Sequence, residues 1–82
     1  MKKKIAILGS TGSIGKSTID ILRKDKKNFD VVLLTTNNNY NEILKQTLEF
    51  KARNIVVNNN KSYLKLKKKL KNKKINIFIN KQ

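Results

Sequence analysis

Residues 5–18 read Ile5-Ala6-Ile7-Leu8-Gly9-Ser10-Thr11-Gly12-Ser13-Ile14-Gly15-Lys16-Ser17-Thr18. A short apolar run passes into a segment that holds all 3 glycines of the chain, and from there into helical spacing. A glycine-rich turn between strand and helix lets the backbone approach a pyrophosphate closely. Its free N–H groups and the positive end of the helix then hold the ligand's charge. Ser10, Thr11 and Ser13 add hydroxyl donors to the same loop. The spacing is G-x-x-G-x-x-G, which departs from the dinucleotide fingerprint G-x-G-x-x-G, so the surrounding β-α-β context has to carry the reading.

That context extends along the whole chain. Apolar runs lie at Ile5–Leu8, Phe29–Thr35, Asn54–Val57 and Ile75–Ile79, the first three nearly continuous, as in strands buried on both faces. Between them lie three helical stripes: Ile14, Thr18, Ile21 and Leu22; then Tyr40, Ile43, Leu44, Thr47 and Leu48; then Tyr63, Leu66 and Leu70. The order β-α-β-α-β-α-β predicts the α/β class, a partial Rossmann-like doubly wound parallel sheet with right-handed crossovers. The first strand is expected at its centre, in the order 3-2-1-4.

Two other readings of the loop compete with this one. Gly15-Lys16-Ser17 supplies the ending of the triphosphatase loop G-x-x-x-x-G-K-[ST], but the position five before Gly15 is Ser10, so the spacing fails by one. No later strand ends in a magnesium-orienting Asp. The other reading, a turn that only packs the helix on the sheet, leaves the concentration of every glycine at one strand end unexplained.

Cofactor choice in such sites is written at the end of the second strand, where NAD-specific sites place an Asp or Glu on the ribose 2′-hydroxyl. Here Leu34-Thr35-Thr36-Asn37-Asn38-Asn39 holds no acid. A 2′-phosphate is not repelled, so NADP fits better than NAD, although no Arg or Lys stands there to bind it.

Composition bounds the remaining possibilities. At 82 residues the chain has room for one domain, and it carries 20 Lys+Arg against 5 Asp+Glu, for a formal charge of +15. The absence of Cys and His removes thiol nucleophiles, disulfides, imidazole bases and Cys/His metal sites. The basic residues are 18 Lys and only 2 Arg, alongside 12 Asn and 10 Ile, a bias that A- and T-rich codons produce without selection for a partner. Specific nucleic-acid readers need Arg for base edges and aromatics for stacking, and neither is interleaved here. A small basic module binding phosphate or nucleic acid through its lysines is the non-enzymatic alternative. Lys67, Lys68, Lys69 and Lys71 read as a solvated helix face. The apolar run after Met1-Lys2-Lys3-Lys4 is too short for a signal peptide, and no stretch approaches a membrane span, so a soluble cytoplasmic protein is expected.

The run Ile5 to Gly15, continued by Ser17-Thr18-Ile19-Asp20, closely resembles the amino terminus of the 1-deoxy-D-xylulose 5-phosphate reductoisomerase family. The likeness continues through Phe29, Val31 and Val32. It includes Gln46-Thr47-Leu48-Glu49-Phe50-Lys51-Ala52, which looks like the family's Gln-x-x-x-Phe-x-Pro segment with Ala52 in place of proline. The resemblance implies that Thr11, Gly12, Ser13 and Ile14 contact NADPH. It places the family's second cofactor segment, typically Gly-Lys/Arg-Asn, on Asn37, Asn38 and Asn39, where only Asn39 matches.

The resemblance also implies the family's reaction, rearrangement of the sugar phosphate and NADPH reduction to 2-C-methyl-D-erythritol 4-phosphate for isoprenoid precursors, with a divalent metal (Mg or Mn) and a homodimer. On that footing, residues 1–82 form the amino-terminal half of an NADPH-binding domain. The catalytic and carboxy-terminal domains that would hold metal and substrate are absent, and these residues alone are expected to be inactive. Asp20, Asp25, Asp30, Glu42 and Glu49 show no paired-ligand spacing, so no catalytic or metal-binding residue is assigned.

Overall fold

Each apolar run becomes a strand and each stripe a helix. The computed structural model describes residues 2–80; Met1, Lys81 and Gln82 of the expected 1–82 unit lie outside the described residues. In chain order the elements are β1 (Lys3–Ile7), α1 (Ser13–Arg23), a single 3-10 turn (Lys26–Asn28), β2 (Phe29–Thr36), α2 (Tyr40–Phe50), β3 (Asn54–Val57), α3 (Asn60–Lys69) and β4 (Asn76–Ile79). All strand pairs are parallel, as the alternation of strand and helix requires. The α/β reading holds.

The strand order does not. The sheet runs β1-β2-β3-β4, with β1 at an edge rather than at the centre. To reach the free edge of β1, the chain leaving β3 would have to step back across about three strand spacings, roughly 14 Å. The connection through α3 instead lays β4 on the near edge of β3, pairing Asn54 with Asn76 and Val57 with Ile79. The Asn80 N–H continues the ladder onto the Val57 carbonyl.

A sequential order of right-handed crossovers puts every helix on the same face of the sheet. Burial follows that geometry. Val31, Leu34, Ile55 and Val57 are buried beneath the helices, together with Ile7. The alternate positions Leu33 and Val56 are half-buried, Ala6 is exposed, and Phe78 is 52% exposed. A bulge at Val32 interrupts the first ladder, because Ile5 pairs with Val31 and Ala6 with Leu33.

The helices add Ile19 and Leu22 from α1, Ile43 from α2, and Leu66 with Leu70 at the end of α3 to one continuous core. Here α1 departs from its expected stripe. Its buried residues are Gly15, Ile19 and Leu22, while Ile14 and Ile21 are 86% and 68% exposed. The helix is turned by one position, about 100°, so that Gly15 rather than Ile14 meets the loop beneath it. Beside this core an exposed cluster joins α1 to α2: the Arg23 guanidinium donates through Nη2 to Glu49 at 2.7 Å and through Nη1 to Asp20 at 2.8 Å. Its hydrogen bonds, aided by Lys26, hold the Glu49 carboxyl below the usual carboxylate range.

Candidate functional site

The carboxyl ends of four parallel strands open into a cavity of about 500 Å³, where ligands of open α/β sheets bind. Leu8, Gly9, Thr11 and Gly12 line it after β1, Thr35 to Asn39 at the end of β2, Asn58 after β3 and Asn80 after β4. The structure thus brings together two segments that lie 25 residues apart in sequence, with the Thr11 and Thr36 hydroxyls meeting at 2.7 Å. Ser13 and Ile14, also expected at the site, do not line the cavity; they form the first turn of α1 at its rim.

The 3 glycines differ in what they do. Gly9 has φ +68, a left-handed turn with open space where a Cβ would stand, so backbone conformation fixes its identity. A Cβ on Gly15 would overlap the Gly9 carbonyl oxygen and come to 2.7 Å of Ser10 Cα, so close contact between helix and loop fixes this one. Gly12 has neither constraint. Its φ is −79, and a Cβ there would meet only the Gly9 carbonyl, at an ordinary 3.5 Å. Nothing in the described protein requires Gly12 to be glycine.

The same point holds for the hydrogen bonds. Gly12 caps α1 with no side-chain acceptor, and no acidic residue stands in the helix's first turn. Among the described residues the N–H groups of Thr11, Ser13 and Ile14 have no protein acceptor. They form a concave donor set at a positive helix end, suited to a phosphate. The rest of the loop is anchored to β2: Gly9 N–H donates to Thr35 Oγ1 at 2.8 Å and Ser10 N–H to the Thr35 carbonyl at 2.9 Å.

The asparagine segment is organised differently. The Asn37 side chain accepts from the Asn58 amide, and the Asn37 carbonyl accepts the Asn58 N–H at 3.2 Å. The Asn39 side chain caps α2 by accepting the Glu42 N–H at 3.3 Å. The Asn38 carbonyl accepts from the Ser62 hydroxyl at 3.1 Å, but its side chain makes no hydrogen bond among the described residues. Of the triplet, Asn38 is the one left to meet a ligand.

Sequence reading missed four residues that build this site. The sequence marks Thr35 and Thr36 only as lacking an acid, and Asn58, in the asparagine run 58–60, only as a residue suited to a turn. Gln46, 1% exposed within α2, donates to the Ser10 carbonyl at 2.9 Å while its Oε1 has no partner. The buried face of α2 carries two polar residues, and whereas Thr47 satisfies its hydroxyl on the Ile43 carbonyl one turn back, Gln46 has no such local partner, which was the available signal for it. For a metal the residues do not fit: among the described residues no three carboxylates or imidazoles converge.

The fold has close counterparts. Residues 5–82 match the family described as 1-deoxy-D-xylulose 5-phosphate reductoisomerase. The chain belongs to that family. The reductoisomerase of Pelagibacter ubique (strain HTCC1062) is 49% identical over 78 residues, which are 95% of this chain and 20% of the relative. That of Clostridium kluyveri (strain ATCC 8527 / DSM 555 / NBRC 12016 / NCIMB 10680 / K1) is 42% identical over 77 residues, 94% of this chain and 20% of the relative. The solved reductoisomerase from Zymomonas mobilis in complex with NADPH superposes with a TM-score of 0.91 at 26% identity, over 98% of this chain and 21% of that one. A second reductoisomerase, solved with NADPH, fosmidomycin and magnesium, gives 0.87 at 29% identity, over 95% of this chain and 19% of that one. The chain therefore spans about a fifth of the length of the reductoisomerases it matches. Neither a triphosphatase loop nor a nucleic-acid module finds support among these matches. No helix of the described residues is long and apolar enough to cross a membrane.

Proposed function

We propose that residues 1–82 form the amino-terminal half of the NADPH-binding domain of a 1-deoxy-D-xylulose 5-phosphate reductoisomerase. Gly12 is the single observation that carries this. It is a helix-capping glycine that the protein's own packing leaves free, in front of N–H donors with no acceptor. In this reading the pyrophosphate lies over Thr11, Gly12, Ser13 and Ile14, and the adenosine ribose faces Asn37, Asn38 and Asn39. When bound, the cofactor supplies the hydride for reduction. The chain's own residues bind and orient it: the loop N–H groups neutralise phosphate charge, and the strand ends set the distance between the two halves of the dinucleotide.

Turnover of the sugar phosphate, the divalent metal and the family homodimer belong in this reading to a longer cytoplasmic protein. The 82 residues by themselves hold cofactor and carry out no chemistry. Binding is weaker than with a cation at position 38, because charge assistance at one phosphate contact is worth on the order of 1–3 kcal/mol.

Fluorescence titration with NADPH tests the reading. The unmutated chain binds, and Gly12→Val abolishes binding while the far-ultraviolet circular dichroism spectrum and melting temperature stay nearly unchanged, since a Cβ at this position meets the protein only at ordinary contact distance. An identical titration curve for Gly12→Val would overturn the loop assignment.

A further inference from the structure

The amide of Gln46 reaches the cofactor loop from 36 residues away in sequence, and it does so inside the core. Both partners are sealed from solvent, Gln46 at 1% and Ser10 at 0% exposure. The acceptor is the Ser10 carbonyl, which belongs to the peptide plane between Ser10 and Thr11. In a trans peptide the carbonyl of one residue and the N–H of the next point in opposite directions, and no peptide bond of the described chain is cis. A Ser10 carbonyl drawn toward α2 therefore turns the Thr11 N–H away from α2, on a residue that lines the cavity and has no protein acceptor for that N–H.

The other bonds of the loop leave this plane undetermined. Gly9 N–H to Thr35 Oγ1 fixes the plane between residues 8 and 9. Ser10 N–H to Thr35 and Gly12 N–H to the Gly9 carbonyl fix the plane between 9 and 10, and the second of these also orients the plane between 11 and 12. Among the described residues only Gln46 hydrogen-bonds to the plane between 10 and 11. Its Oε1 is buried without a partner. That arrangement is unfavourable for folding, as polar groups retained for function commonly are.

We propose that Gln46 is a positioning residue for cofactor binding: by holding the Ser10 carbonyl, it aims the Thr11 N–H at the pyrophosphate of the dinucleotide. The inference rests on the NADPH reading above and adds to it a residue that never touches the ligand. A merely structural Gln46 and a positioning Gln46 differ in what its replacement does. Methionine keeps an unbranched side chain of similar length and flexibility. It removes the donor, leaving the Ser10 carbonyl unpaired, and it also removes the unpaired Oε1, so the two effects on folding oppose each other.

The test is to compare the unmutated chain and Gln46→Met by thermal melting, NADPH titration and amide nuclear magnetic resonance. The expected result is a melting temperature within a few degrees of the original, an NADPH dissociation constant raised about tenfold, and a Thr11 amide resonance that shifts while those of β3 and α3 stay in place. Equal NADPH affinity in both proteins, or an unmoved Thr11 amide, overturns the inference and leaves the cofactor reading standing. Absence of NADPH binding by the unmutated chain overturns the reading and this inference with it. If Gln46→Met does not fold, Gln46→Glu decides, because a protonated carboxyl can donate to Ser10 and a carboxylate cannot. Its Thr11 amide is expected to move as the pH crosses the titration of that side chain, and a pH-independent Thr11 amide overturns the proposal.

Discussion

Three helices begin at the same end of the sheet, and they begin in two ways. Asn39 and Asn59 close α2 and α3 with side-chain oxygens that accept the N–H groups of Glu42 and Ser62. At α1 the corresponding position is Gly12, with no side chain to offer. A free donor at a helix start is normally satisfied by its own sequence, and asparagine is among the best residues for doing so. In a chain with 12 asparagines, leaving that one position uncapped is informative. The two capped helices are finished by the protein. On the proposed reading, the third is finished by a ligand.

The strongest way to break this contrast is to separate α1 from its loop. Gly15→Ala forces a Cβ into the Gly9 backbone, and neither partner is a side chain that could swing aside. We expect loss of cooperative unfolding together with loss of NADPH binding, seen by thermal melting; a native-like melt for this variant would refute the close packing assigned to Gly15. Next in size is a change that sharpens the ligand side. Asn38→Arg places charge opposite the 2′-phosphate on the one uncommitted member of the triplet, and NADPH should bind about tenfold more tightly with NADH unaffected. Parallel titrations with the two cofactors check it, and equal gains for both would move the 2′-phosphate elsewhere. The smallest effect belongs to a capped helix. Asn59→Ala should cost about 1 kcal/mol in denaturant unfolding and leave NADPH affinity untouched, whereas the Gly12 variants do the reverse.

The sequence was informative where one kind of force acts alone. Strands came through as β-branched runs, and β3 keeps its predicted span at Asn54–Val57. The glycine loop was legible because backbone geometry restricts residue type so sharply there. The order of strands was not, since Ile5 to Leu8 reads as an apolar run whether the strand lies at an edge or in the middle. Nor was the rotation of α1, because Ile14 and Ile19 are equally apolar and only the contact at Gly15 chooses between them. Within the site, the triplet Asn37 to Asn39 could be located by its place after β2. The division of labour among its members depends on Asn58 and Ser62, which only the fold brings near.

The sequential strand order has a consequence for how the protein is made. Lys3 pairs with Phe29, Leu33 with Asn54 and Asn54 with Asn76, so every strand closes against the one completed just before it. Among the described residues each pairing joins consecutive strands, and the entropy of loop closure is the modest cost of roughly two dozen residues each time. The sheet can grow in the direction of translation, one strand-helix unit at a time. Both halves of the cofactor cavity, the loop after β1 and the asparagines after β2, are in place once the second strand has joined the first.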